Sequence, residues 1–311
     1  MILATDAICR KHDTGPGHPE RPARYDSVLK AIEASGVHAK LRKIGARPIK
    51  REDLLLAHEA RYLTLAEAEI RAGREQLSTG DTAVSTDSWD AAMAAAGCAV
   101  VAVEAVVKGE DKTAFCLIRP PGHHASAGRG MGFCIVNNIA IAARHARRRL
   151  GIERVAIVDW DVHHGNGTQD IFYADGSVFF FSVHQSPWYP GTGAADETGE
   201  GEGKGTTLNC PLPALSGRAE IFDCFERKLL PALEKFRPEL MLISAGFDSR
   251  EGDPLGRFLL KDADFADLTR IVRGVANKHG QGRVVSLLEG GYNLTGLASA
   301  ALAHVGALAE K

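Results

Sequence analysis

With 311 residues, 45% of them hydrophobic and 24% charged, the chain has the apolar material for one large buried core and falls outside the disordered and fibrous classes. A formal net charge of -2 leaves no electrostatic footprint for nucleic acid or an anionic membrane, and the basic run at 143–154 reads as a solvated helix face. The N-terminal segment meets Asp6 too early for a signal peptide, no stretch is expected to span a bilayer, and six cysteines without CxxC spacing predict free packed thiols in a reducing cytoplasm.

Short runs rich in β-branched and aromatic residues alternate with longer helical patterns. In chain order the strand candidates are MILATD (1–6), FCLIRP (115–120), RVAIVDWD (154–161), SVFFFSVH (177–184), TTLNCPL (206–212), LMLISAG (240–246) and RVVSLLEGG (283–291). Helices are expected at 88–108, 138–150, 221–236 and 262–278. Near-continuous apolar runs fit strands buried on both faces, as in a parallel sheet. Strands alternating with helices need crossover connections. The expected architecture is therefore α/β, a single domain over 1–311 with a largely parallel central sheet and helices on both faces. The glycine-rich stretch at 190–205 predicts a long surface loop.

In open parallel sheets ligands bind beyond the carboxyl ends of the strands. At those ends stand His123 and His124, then Asp159, Asp161, His163 and His164, then His184, Asp248, Glu289 and Tyr292. Residues two apart along a strand share a face, so Asp161 and His163 converge, and Asp248 offers a third donor. Two carboxylates and one imidazole with an open position form a catalytic pattern for a divalent metal, with zinc, iron and manganese all compatible. Taken singly, an Asp-x-His or a capping aspartate is commonplace. Together, so many ionisable groups ending separate buried strands have no structural account, because burying them unpaired is unfavourable. Metal-activated water needs a base to take its proton and an acid to protonate the leaving group, and the adjacent imidazoles of His123 and His124 supply both.

GHPERPARYDSVLKAI (17–32), GDTAVSTDSWDAA, RPPGHH, GMGFCIVNN, VDWDVHHGNGTQDIFY, SVHQSPWYPGTG, SAGFDSREGDP and LEGGYN follow one another along nearly the whole chain. In this order they resemble the zinc-dependent histone deacetylase superfamily, which includes class II-like deacetylases and acetylpolyamine amidohydrolases on an arginase-like fold. The resemblance implies one Zn2+ held by Asp161, His163 and Asp248. It implies His124 as general base and acid, His123 as its electrostatic partner, and Asp159 and Asn166 as the residues orienting His123 and His124. Many family members have aspartate at the last position, and asparagine is typical of the class II branch. Tyr292 matches the tyrosine that polarises the amide carbonyl and stabilises the oxyanion.

For the substrate channel the resemblance implies aromatic walls at Phe133 and Tyr189, a Gly132 carbonyl that receives the substrate N–H, an acidic rim residue at Asp81, and Arg24 in a product channel. It further implies structural potassium at Asp159, Asp161, His163, Ser182 and Val183, and at Phe172, Asp175 and Val178. The implied reaction is removal of acetyl or a related acyl group from acetyl-lysine in a peptide or protein. An acetylated polyamine or other small amine is the alternative substrate. Acidic Asp196, Glu197, Glu200 and Glu202 in the long loop could draw in a cationic polyamine, or only keep the loop soluble. A two-manganese ureohydrolase would need further carboxylates, yet Asp248 is followed by Ser249 and Arg250, and Asp161 by Val162 and His163. A non-catalytic acetyl-lysine reader would lack a ligand or the tyrosine, and every matched position is filled. Neither oligomeric state, acyl-chain preference nor the choice between zinc and iron follows from the sequence.

Overall fold

All seven apolar runs are strands in the computed structural model, which describes residues 1–310. They are β1 (Ile2–Thr5), β3 (Thr113–Leu117), β4 (Val155–Asp159), β5 (Val178–Gln185), β6 (Thr207–Leu212), β7 (Leu240–Ala245) and β8 (Val284–Leu288), joined by an unforeseen β2 (Arg42–Ile44). The eight lie in one sheet in the order β2-β1-β3-β8-β7-β4-β5-β6, and every neighbouring pair is parallel. Every residue of β3, β4, β5, β7 and β8 is buried, so both faces of the sheet centre are covered.

The helices are α1 (Ala23–Glu33), α2 (Arg51–Leu54), α3 (Ala60–Arg71), α4 (Ser88–Val107), α5 (Asn138–Arg149), α6 (Asn166–Phe172), α7 (Arg218–Asp223), α8 (Leu230–Phe236), α9 (Asp262–His279) and α10 (Leu294–Leu308). One group packs α4 against α5 and the β1, β3 and β8 strands, and another packs α10 against α1 and α9. The expected helix at 221–236 is interrupted. Its middle, Cys224–Leu229, is a π-helical segment in which Leu230 N–H reaches Phe225 O. Pro231 explains the widened turn: it has no N–H to offer the preceding turn and its ring would clash there, so the hydrogen bonds shift register around it.

Helix α4 corrects one expectation. Its 20 residues include a stretch of mean hydropathy 1.8, long and apolar enough by composition to cross a bilayer. The fold uses it instead as an inner helix: Ala, Val and Cys side chains around most of its circumference are buried against the sheet and α5. All six cysteines are free and buried, as expected.

Two core imidazoles make stability sensitive to acid. Burial pushes the His304 pKa down to about 3 and, against two backbone hydrogen bonds, the His58 pKa down to about 4. Each folded pKa lies below the unfolded value near 6.5. Their contribution is therefore complete above about pH 6.5 and is lost as pH falls toward 4, on the order of 1 kcal/mol per imidazole per pH unit. The urea midpoint should be lower at pH 5 than at pH 7.5, and an unchanged midpoint would contradict this assignment.

Candidate active site

Beyond β3 the chain runs through Arg119 to Gly122, His123 and His124. Arg119 is fully buried and grips the Glu20 carboxylate with two nitrogens, at 2.5 and 2.6 Å, while donating to the carbonyls of Cys9 and His12. Glu289, at the end of β8, accepts Gly122 N at 2.7 Å and His123 N at 3.2 Å. Charged groups on three separate segments thus hold the histidine pair in place.

Asp161, His163 and Asp248 meet beyond β4 and β7, with donor atoms all within 4.8 Å of one another and all three residues buried. His163 Nδ1 lies 2.9 Å from Asp161 Oδ1 and 3.2 Å from Asp248 Oδ2. The second contact is close enough for charge but not aligned as a hydrogen bond, leaving the buried Asp248 Oδ2 without a hydrogen-bond partner. Burial disfavours charge on His163, yet Asp161 and Asp248 outweigh it and push the pKa up to about 10. The point where the three donors meet therefore favours positive charge. One nitrogen and two carboxylate groups, one of them with a buried oxygen that has no hydrogen-bond partner, fit a divalent cation. Gly290 is obligatory beside them, because any Cβ there would collide with the carboxylates of Asp248 and Asp161.

The two histidine rings lie 4.0 Å apart, and their surroundings drive them in opposite directions. His123 Nδ1 donates to Asp159 Oδ2 at 2.9 Å. Burial would lower its pKa, but Asp159 and then Asp161 prevail and push it up to about 10. For His124, burial first and the neighbouring His123 and His163 next hold the pKa well below the ordinary value. Asn166, at the start of α6, accepts from His124 Nδ1 at 2.8 Å. Asparagine thus fixes the tautomer, leaving Nε2 as the free lone pair, without the negative charge that would stabilise an imidazolium. This gives a physical role to the aspartate-to-asparagine difference seen in the sequence.

A channel of about 230 Å³ leads to these groups. His124, His163 and Tyr292 line it, with Phe133, Tyr189 and Gly132 along its length and Asp81 beside them. Gly132 and Phe133 both have positive φ, 57° and 67°, between Met131 and Cys134, which are paired across the turn. A tight turn of this handedness tolerates glycine readily but strains an aromatic residue, and here it presents the Phe133 ring. Asp81 accepts Gly132 N at 2.7 Å and lies 3.3 Å from the Tyr189 hydroxyl, tying the two walls together.

Sequence reasoning missed Trp188 and Leu255, which also line the channel and are joined by a 2.8 Å hydrogen bond from Trp188 Nε1 to Leu255 O. Trp188 stands in the SPWYPGTG motif, and a tryptophan flanked by Pro187 and Pro190 beside the expected channel residue Tyr189 was a usable signal.

Arg24, expected in a product channel, lies behind Tyr292. Its guanidinium is 4.9 Å above the tyrosine ring, and its nitrogens go to Glu20 and to the carbonyls of Gly291 and Glu289. None of the four loop acids lines the channel. Glu197 accepts from Gln169, which in turn accepts from His164, while Glu200 and Glu202 line a separate cleft together with Arg144, Arg147 and Arg148. The loop itself is pinned where His164 meets Thr192 Oγ1 at 2.8 Å and His184 Nε2 donates to Gly193 O at 3.1 Å.

Among the residues expected around potassium, where main-chain carbonyls would do much of the work, Asp159 and Ser182 are register partners; His123 and Asp161 N engage the Asp159 oxygens, and His184 engages Ser182 Oγ. Val183 follows within β5. Phe172, Asp175 and Val178 form one short turn through Phe172 O to Asp175 N and Asp175 O to Val178 N, while the Asp175 carboxylate pairs with Arg144. Among the described residues, only Asp161, His163 and Asp248 gather three potential metal-donor side chains.

With this geometry established, comparison with known proteins gives a family. The sequence profile of the histone deacetylase domain matches residues 18–308. This chain belongs to the histone deacetylase family. It is 40% identical over 306 residues to the histone deacetylase-like amidohydrolase of Pseudomonas aeruginosa, covering 93% of this chain and 80% of that one. It is also 40% identical over 298 residues to the chloroplastic histone deacetylase 10 of Oryza sativa subsp. japonica, covering 91% of this chain and 67% of that one. The crystal structure of the HDA15 HD domain superposes with a TM-score of 0.93 at 34% identity, covering 99% of this chain and 90% of that one. The α/β architecture is thus that of a histone deacetylase, and the chain is a member of a deacetylase and amidohydrolase enzyme family.

Proposed function

We propose that this histone deacetylase homologue is a zinc-dependent amidohydrolase that removes acetyl groups from lysine side chains in peptides or proteins. The observation that carries the reading is a narrow aromatic channel ending at three buried metal donors and a histidine pair, of which His123 is bonded to the Asp159 carboxylate and His124 to the uncharged Asn166. Zinc held by Asp161, His163 and Asp248 would supply Lewis acidity for the acetyl carbonyl and a water of lowered pKa. His124, neutral and with Nε2 free, takes the proton and returns it to the departing amine. His123, kept cationic by Asp159, stabilises negative charge beside it. Tyr292 lines the channel, and burial above all holds its hydroxyl well above its ordinary pKa, so it remains a donor for the developing oxyanion. Phe133 and Tyr189 accommodate the slender methylene chain.

The channel also favours a peptide over a polyamine. Asp81 is its sole lining carboxylate, and that group is already engaged by Gly132 N and near Tyr189. A polycation would draw on several acids, and the four in the long loop lie away from the channel. Purified, zinc-loaded protein should therefore hydrolyse an acetyl-lysine peptide with kcat/KM at least about 10-fold above that for acetylated polyamines. A difference of this size is about 1.4 kcal/mol in transition-state stabilisation. Chelation should abolish turnover and added zinc restore it. Chelator-resistant turnover would exclude the metal reading, and turnover confined to polyamines would reassign the substrate.

A further inference from the structure

The segment at 289–293 carries Tyr292, and its backbone is fastened largely by charged side chains. Arg24 donates to the carbonyls of Glu289 and Gly291, while Gly290 N donates to Asp161 Oδ2 at 2.8 Å. The N–H groups of Tyr292 and Asn293 converge on one oxygen of Asp253, at 2.6 and 3.0 Å. The other Asp253 oxygen accepts Leu255 N at 2.9 Å, and Leu255 lines the channel. Asn293 completes the junction: its Nδ2 donates to Gly252 O at 3.0 Å, and its Oδ1 caps α10 through Gly296 N at 3.1 Å.

We infer that Asp253 is a positioning residue for the reaction, holding the Tyr292 hydroxyl at a fixed place relative to the loop that carries Asp248. The inference rests on Tyr292 acting as the oxyanion donor. Asp253 and Asp248 belong to the same loop after β7, so the carboxylate couples the segment bearing a metal donor to the segment bearing the tyrosine. Only 8% of Asp253 is exposed, and water cannot readily replace the acceptor for two backbone donors. An oxyanion donor works only within about 2.7–3.1 Å of its target, and a displacement of about 1 Å can lower a rate by about 100-fold. An amide in place of the carboxylate would keep one accepting oxygen. Its NH2 would face either Leu255 N or the Tyr292 and Asn293 N–H pair, so one side of the junction must open.

The test is a double-mutant cycle on zinc-loaded protein with an acetyl-lysine peptide, comparing wild type, Asp253→Asn, Tyr292→Phe and the double variant. Asp253→Asn should lower kcat about 30-fold with KM changed less than about threefold. In the Tyr292→Phe background the same substitution should lower kcat less than about twofold, because the hydroxyl it positions is already gone. Equal losses in both backgrounds would reduce Asp253 to a general structural role and overturn the inference. Full kcat in Asp253→Asn, with Tyr292→Phe crippled, would overturn it while leaving the proposed function standing. Unimpaired Tyr292→Phe would remove the donor itself: the inference would fall with the role given to Tyr292, while turnover of the peptide would leave the deacetylase reading standing. Asp253→Glu keeps the charge and both acceptors and should lose less. If Asp253→Asn does not fold, Asp253→Glu enters the same cycle with the same criterion, its loss confined to the Tyr292 background.

Discussion

His124→Ala should lower kcat on an acetyl-lysine peptide about 1000-fold while the protein retains one zinc per chain. General acid–base groups typically contribute about 100-fold to 10,000-fold, and here one imidazole both takes and returns the proton. His123 is a poor substitute, because its Nδ1 is committed to Asp159 at 2.9 Å, a buried carboxylate that favours the protonated ring. Metal content should survive, because His124 is outside the Asp161, His163 and Asp248 set. The paired measurement is single-turnover rate and zinc stoichiometry. Activity with zinc retained would place the base elsewhere, whereas loss of both would implicate folding.

Tyr292→Phe carries the second large effect. Its hydroxyl makes no hydrogen bond among the described residues, and Arg24 together with Asp253 fixes the backbone on either side of it. Phenylalanine keeps the ring against Arg24 and Phe133 and removes only the donor. Loss of one oxyanion donor typically costs about 100-fold to 1000-fold in kcat, and KM should move little because the interaction forms chiefly in the transition state. Steady-state kinetics over a range of peptide concentrations separates the two parameters. A rise in KM at constant kcat would make Tyr292 a ground-state binding residue instead.

These expectations were legible to different depths. The seven expected strands could be read because central strands here are apolar on both faces. Strand β2 could not: Arg42 and Lys43 are exposed on a three-residue edge strand, where charged side chains are the usual occupants. Asp161 and His163 declared themselves through their two-residue spacing at a strand end. Asp253 and Leu255 gave no comparable signal, since their importance lies in which backbone groups a loop brings to them. The loop acids show the limit from the other side. Charge is visible in a sequence, but whether Glu200 lines the channel or a separate cleft depends on where the intervening loop turns.

The apolar helix α4 also bears on how the protein is made. Synthesis delivers it well before β8, one of the strands that cover it, so for part of translation a segment with the composition of a membrane anchor has an incomplete shelter. Such exposure invites association with chaperones or with other nascent chains. Charged substitutions on the side of α4 facing β8 should therefore reduce folding yield in cells, and slowing production of the chain's C-terminal third should raise its demand for chaperones.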